Sequence, residues 1–220
     1  MKKYLVTILL LFVVFMFSCK RADIKYWENG EKKSELNYKG DKLNGTSTWW
    51  YENGTKQMES NYKNNMLNGK SIRWNFKGIM EREDNYVDNK LNGKSITWNK
   101  EGIKISEENY LNDTLDGEYK EWHINGQVKL SAFYNKGKYH KKWLYWNELG
   151  IKIGEADFDN GNGKMQSWSL NGKLLREINY KDNLKDGKEI WYDKEGKTEK
   201  ILIFEKGQLL REIIPELENI

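Results

Sequence analysis

Residues 61–74 read NYKNNMLNGKSIRW and residues 85–98 read NYVDNKLNGKSITW, two near copies set 24 positions apart. Self-similarity at a fixed period marks a repeat architecture. Working outward, glycines occupy the same slot at 45, 69, 93 and 117. The next register position is Lys141, and the series resumes at Gly163 after a 22-residue step, then at Gly187. Nine residues past each register point stands a second glycine, at 54, 78, 102, 126, 150, 172 and 196, and Gly30 marks a partial unit before the first full one. These two slots take fourteen of the nineteen glycines, so glycine here is punctuation.

Aromatic residues keep the same period. Five past the register point stand Trp50, Trp74, Trp98, Trp122, Trp146, Trp168 and Tyr192. Seventeen past it stand Tyr62, Tyr86, Tyr110, Tyr134, Phe158, Tyr180 and Phe204. Each unit reads as two short strands and two turns, with Ile96 and Trp98 on one face at period two. Asn53-Gly54 and Asn92-Gly93 read as hairpin turns, since both residue types tolerate positive φ. A two-residue turn would put the Trp and Tyr stripes on opposite faces, and one bulge residue would bring them together. A shared aromatic face is expected, because two stripes together bury more than either alone. The fold expected is all-β: an elongated single-layer antiparallel sheet of about seven stacked hairpins, each needing its neighbours to bury an apolar face.

Composition agrees with thin β-structure. Charged residues make up 32%, the hydrophobic fraction is 38%, aromatics reach 14% and there is one proline among 220 residues. Charges of both signs are interspersed, which argues against a nucleic-acid partner despite a net charge of +4.

The amino terminus stands apart. Lys2 and Lys3 precede an apolar run from Tyr4 to Phe17 in which only Thr7 is polar, followed by Ser18 and the only cysteine, Cys19. The run is shorter than the roughly 20 residues that span a bilayer and fits an export signal. It resembles a bacterial lipoprotein signal, with Met16 and Phe17 departing from the usual pattern and Cys19 as the lipidation site. An uncleaved short anchor and plain secretion are the alternatives. The expected organisation is a signal over 1–18, a tether over 19–24, the repeat array over 25–210 and a cap or tail over 211–220.

Candidate chemistry is sparse. His123 and His140, the only histidines, replace turn or surface residues of other repeats. Glu59, Glu83, Glu107, Glu155 and Glu177 recur three residues before the register aromatic, facing the other way, and read as a lysine-paired solvated row. Residues 157–163 imitate a calcium loop but lack its fifth and twelfth ligands, and a shortened turn accounts for them better. No catalytic residue, metal ligand or cofactor is expected. The break in the repeat gathers Lys136, Lys138, Tyr139, His140, Lys141, Lys142, Trp143 and Tyr145, a basic and aromatic group suited to partner binding. Drift of one repeat is the alternative.

The pattern Tyr-x-Asn-x-x-x-Asn-Gly-x-x-x-x-Trp-x-x-x-Gly, running from Tyr38 through Phe204, resembles the MORN repeat in its bacterial variant, with Lys and Asn replacing some of its glycines. The resemblance implies a hairpin array. It also implies an antitoxin-like role in a toxin–antitoxin system, or membrane apposition and scaffolding. The resulting expectation is a monomeric, non-enzymatic lipoprotein of the cell envelope, periplasmic or surface-exposed. Its partner would be a protein, a toxin in the sharpest version. A scaffold touching membrane lipid or cell wall is the alternative.

Overall fold

The computed structural model describes residues 20–215. All regular elements in that span are strands of one open antiparallel sheet. In chain order they are β1 (Lys20–Tyr26), β2 (Lys32–Lys39), β3 (Lys42–Leu43), β4 (Gly45–Trp50), β5 (Lys56–Lys63), β6 (Met66–Trp74) and β7 (Met80–Val87). There follow β8 (Lys90–Leu91), β9 (Gly93–Trp98), β10 (Lys104–Leu111), β11 (Thr114–Trp122), β12 (Val128–Asn135) and β13 (Lys138–Trp146). The last are β14 (Lys152–Asp159), β15 (Asn162–Trp168), β16 (Leu174–Lys181), β17 (Leu184–Tyr192), β18 (Thr198–Glu205) and β19 (Gln208–Ile213). Each strand pairs with its sequence neighbours, a meander with β1 and β19 at its ends. β3 and β4 share one row against β2, as β8 and β9 do against β7.

Two turn types alternate along the margins. On one margin both turn residues take positive φ, as at Asn64 (51°) and Asn65 (70°) or Asp88 (48°) and Asn89 (68°). This is the two-residue turn whose twist matches that of paired strands. On the other margin the Gly54 amide donates to the Tyr51 carbonyl at 3.0 Å, and a bulge follows at Trp49/Trp50. Asn53-Gly54 is therefore a turn, as expected. Asn92-Gly93 is not: it lies within a strand row, at a bulge.

That bulge explains the register glycine. Tyr110 faces Leu115 and Glu108 faces Tyr119, so Asp116, Gly117 and Glu118 together oppose Asn109. The Asn109 side-chain amide bridges the distortion, donating to the Glu118 carbonyl at 2.7 Å. Asn37, Asn61, Asn85 and Asn179 make the same bond in their own repeats. Gly117 sits at φ 113°, outside the region open to other residues.

The two aromatic stripes lie on opposite faces, which corrects the expectation of a shared one. Tyr110 pairs with Gly93, and Trp98 is an odd number of residues along the same strand. The bulge that was to bring the stripes together falls between Thr97 and Trp98, next to the turn, so it re-aims Lys104 and leaves the Tyr row untouched. One face carries the Tyr row and the other the Trp row.

The Tyr face holds the only hydrophobic cluster among the described residues, formed by Ala132, Trp143, Ala156 and Phe158 with Tyr134, Tyr139, Tyr145 and Tyr180 packed on it. Its origin is the 22-residue step. β14 and β15 pair without a bulge, Phe158 directly facing Gly163, because the two deleted residues are those that would have formed it. Gly163 has no room for a side chain, as a Cβ there would lie 2.1 Å from the Asp157 carbonyl oxygen. The neighbouring turns then draw together: Asn183 accepts from the Tyr139 amide at 2.8 Å, and Lys138 pairs with Asp182 at 2.9 Å. In a flat sheet β13 and β16 would lie roughly 14 Å apart. The Tyr139 and Tyr180 rings are 6.1 Å apart, so the Tyr face is concave here.

The sheet reaches further than the expected array at both ends. Residues 20–24, read as tether, belong to β1, and residues 211–213, read as cap, belong to β19. Cys19 and the expected signal lie outside the described residues.

Candidate functional site

One cross-strand row runs down the middle of the Tyr face. It passes Ser47, Ser60, Ser71, Asp84, Ser95 and Glu108, each against the next, then Tyr119 and Ala132. The row is hydroxyl and carboxylate at the amino-terminal end, aromatic and apolar from Tyr119 to Ile178, and carboxylate again at Glu189. The polar half is nonetheless recessed, Ser60 being 1% exposed. Small side chains leave the floor low while long neighbours rise beside it.

Over this floor lies a cavity of about 220 Å³. Met58, Tyr62, Leu67 and Tyr86 form its walls, and Arg73 and Arg82 reach in beside Ser60, Ser71 and Asp84. The Ser60 and Ser71 hydroxyls are 2.7 Å apart. Ser95 donates to Asp84 at 2.7 Å, and Arg82 Nε donates to both Asp84 oxygens at 2.8 and 3.0 Å. Further along, the Tyr110 hydroxyl donates to Glu108 at 2.5 Å. Burial, reinforced by that bond, raises the Tyr110 pKa well above its usual value. The Ser47 hydroxyl is buried and, among the described residues, has no hydrogen-bond partner. These carboxylates are engaged by Arg82 and Tyr110.

Near the other end, Glu189 is 1% exposed in the same central row. Arg176 and Lys185 each approach it at 2.6 Å, and the Trp191 indole donates at 2.8 Å. Burial alone would raise its pKa, but those bonds and charges outweigh it and hold Glu189 below the usual carboxylate value.

The Trp face is built of ion pairs and cation–π contacts. Lys70 pairs with Glu83 at 2.7 Å, Lys164 with Glu177 at 2.5 Å and Lys152 with Glu155 at 2.8 Å. Lys104 bridges to Glu107 and lies 4.2 Å from the centroid of the Trp122 ring. The recurring glutamates are thus lysine-paired, as their register suggested.

The basic and aromatic group at the break is not one patch. Tyr139, Trp143 and Tyr145 point to the Tyr face and belong to the cluster, Trp143 being 6% exposed. His140 packs against Phe133, and Lys141 lies 3.9 Å from the centroid of that ring. Lys142 is exposed opposite Asp157, Lys138 is tied to Asp182, and Lys136 is a positive-φ turn residue. His123 has a scaffold role: its Nε2–H donates to the Trp146 carbonyl at 2.8 Å, one repeat on. Sequence reasoning passed over Arg73, Arg82 and Asp84. The available signal was Ser47, Ser71 and Ser95 at one register slot, small polar residues on a face that should bury bulk.

Uniform hairpins joined edge to edge, a floor row and two unlike faces define a single-layer β-repeat protein. Four segments, residues 24–39, 43–64, 115–136 and 161–182, match the MORN repeat variant. The last three each begin within two residues of the start of the strand that carries the register position and run into the positive-φ turn, so one matched unit is one hairpin. No curated protein matches the chain. MORN repeats are often protein- or membrane-binding elements.

Proposed function

We propose that the array is a non-enzymatic binding scaffold that seats a protein partner on its Tyr face. The cavity over the serine floor, about 220 Å³ between Met58, Tyr62 and Tyr86, carries this reading. Recessed sites with aromatic walls and few polar groups are where partner anchors insert. The engagement of Asp84 and Glu108 by Arg82 and Tyr110 supports a binding role over acid–base chemistry. In the sharpest version the partner is a toxin delivered to the envelope, inhibited by occlusion, with the array held at the membrane through lipid on Cys19. A photo-cross-linking residue at Met58 tests the face: it should trap one partner that the same residue at Lys142 does not. Equal trapping from both positions would retire the proposal. Loss of palmitate labelling in Cys19→Ser is the matching test of anchoring.

A second reading, a scaffold resting on membrane lipid, is favoured by one observation. Phe76, Ile124, Leu149 and Leu170 are exposed at turns along a single margin. Apolar turn tips can enter a lipid interface. Sedimentation with vesicles, lost when these four become serine, would select it.

A further inference from the structure

We propose that the cavity beside the serine floor is a carboxylate-binding site in which Arg73 grips an acidic group of a polypeptide partner. The proposal rests on the protein-binding reading above and names the partner's chemistry. Arg73 and Arg82 stand directly opposite each other in the β6–β7 pair, on the face that lines the cavity. Like charges placed directly opposite destabilise a strand pair. Arg82 is neutralised by Asp84 at 2.8 Å. Among the described residues, the Arg73 guanidinium makes no hydrogen bond or ion pair. Arg176, elsewhere on the same face, is engaged by Glu189. An exposed planar fork beside a second arginine is thus left with an uncompensated positive charge.

The surroundings fit a carboxylate. A guanidinium receives one bidentately, and of the Ser60 and Ser71 hydroxyls, bonded to each other at 2.7 Å, one keeps its proton as a further donor in the same cavity. Met58, Tyr62 and Tyr86 offer apolar surface for a side-chain stem. At about 220 Å³ the space suits one side chain or chain terminus, below the roughly 300–1,000 Å³ of drug-sized sites. A flat bilayer would meet the turn tips before any headgroup reached the recessed serine floor, which favours a peptide over a lipid.

The test is calorimetric titration of the full chain with three probes. These are a doubly blocked tetraglutamate peptide, a tetraglutamine peptide with a free carboxy terminus, and vesicles containing phosphatidylglycerol. Arg73→Gln should weaken peptide binding about 10- to 100-fold, the loss expected for a charge-assisted bond. Lys142→Gln, which removes the same charge from the other face, should leave it unchanged. The thermal midpoint of Arg73→Gln should be equal or higher, since the opposed charges are relieved. Preference for the blocked or the free-terminus peptide assigns the carboxylate to a side chain or to a chain end. Three results would overturn the proposal: no binding of either peptide, equal weakening by Lys142→Gln, or Arg73-dependent binding of vesicles alone. A partner still trapped from Met58 in the Arg73→Gln protein would leave the protein-binding reading standing and remove this one.

Discussion

Replacing Gly117 by alanine tests the account of the bulge. At φ 113° an alanine lies outside its allowed regions, and forcing an L-residue toward positive φ costs about 1–2 kcal/mol. The new Cβ would lie 3.2 Å from Asn109 Cβ and 3.8 Å from its Cγ. Asn109 must then shift, weakening its 2.7 Å bond to the Glu118 carbonyl, a loss of about 1 kcal/mol. Fewer unfolded conformations offset about 0.5–1 kcal/mol. The net expectation is about 2 kcal/mol of destabilisation, read from urea midpoints by Trp fluorescence at a common slope. Gly126→Ala is the control, because Gly126 has φ 83° and nothing within 4 Å of its Cβ. It should cost about 1 kcal/mol less than Gly117→Ala. In an Asn109→Ala background the bond is already absent, so the cost of Gly117→Ala should fall by a similar amount. Full additivity, or equal costs at positions 117 and 126, would refute the reasoning.

Other outcomes follow from the same geometry. Trp143→Ala should cost about 3–5 kcal/mol and abolish cooperative melting of the carboxy-terminal repeats, measured by near-ultraviolet circular dichroism. Gly163→Ala should be worse than any bulge glycine, because its Cβ meets immovable backbone at 2.1 Å; a melting temperature within a few degrees of wild type would contradict this. The lowered pKa of Glu189 means its ion pairs stabilise the fold above the unfolded value of about 4.5 and are lost as pH falls through the folded one. Glu189→Gln should flatten that acid limb in pH-resolved urea titrations. Burial, then its neighbour Tyr139, raises Tyr134 to about 12 from 10.0. Its contribution is complete below pH 10 and should drain away between there and about pH 12, a limb that Tyr134→Phe removes.

The period, the two turns per repeat and the all-β class were legible because glycine and asparagine mark backbone conformations that few other residues adopt. The bulge was legible in principle and misread as a turn. Asn-Gly at 92 and 93 has the composition of a hairpin, and only pairing distinguishes a positive-φ residue that reverses the chain from one that kinks it. The facing of the stripes depended on where a single extra residue fell, which periodicity does not encode. At the break, Tyr139 and Trp143 sit among lysines in sequence and opposite them in space. A strand alternates its faces with every residue, so neighbours in a strand are the least safe group to read as one surface.

The repeats differ from one another at the slot that faces the register residue. Where the register residue is glycine and the bulge forms, as at 45, 69, 93, 117 and 187, the slot facing it holds Asn37, Asn61, Asn85, Asn109 and Asn179. Where the glycine is missing, at Lys141, that slot is Phe133, and the Lys141 ammonium covers its ring. Where the bulge is deleted, at Gly163, the slot is Asp157, paired regularly with Lys164. The bulge itself persists at Lys141, which takes φ 58° between the His140–Phe133 and Leu144–Ser131 pairs, so the asparagine goes with the glycine form of the bulge. The two repeats without the asparagine adjoin the cluster of Trp143 and Phe158 and the narrowing of the turn margin. A sheet that is nearly uniform through β9 becomes concave and apolar around the one repeat, at Gly163, in which the kink is deleted. The serine floor lies among kinked repeats at Gly45, Gly69 and Gly93, and the candidate site and the core occupy separate stretches of one row.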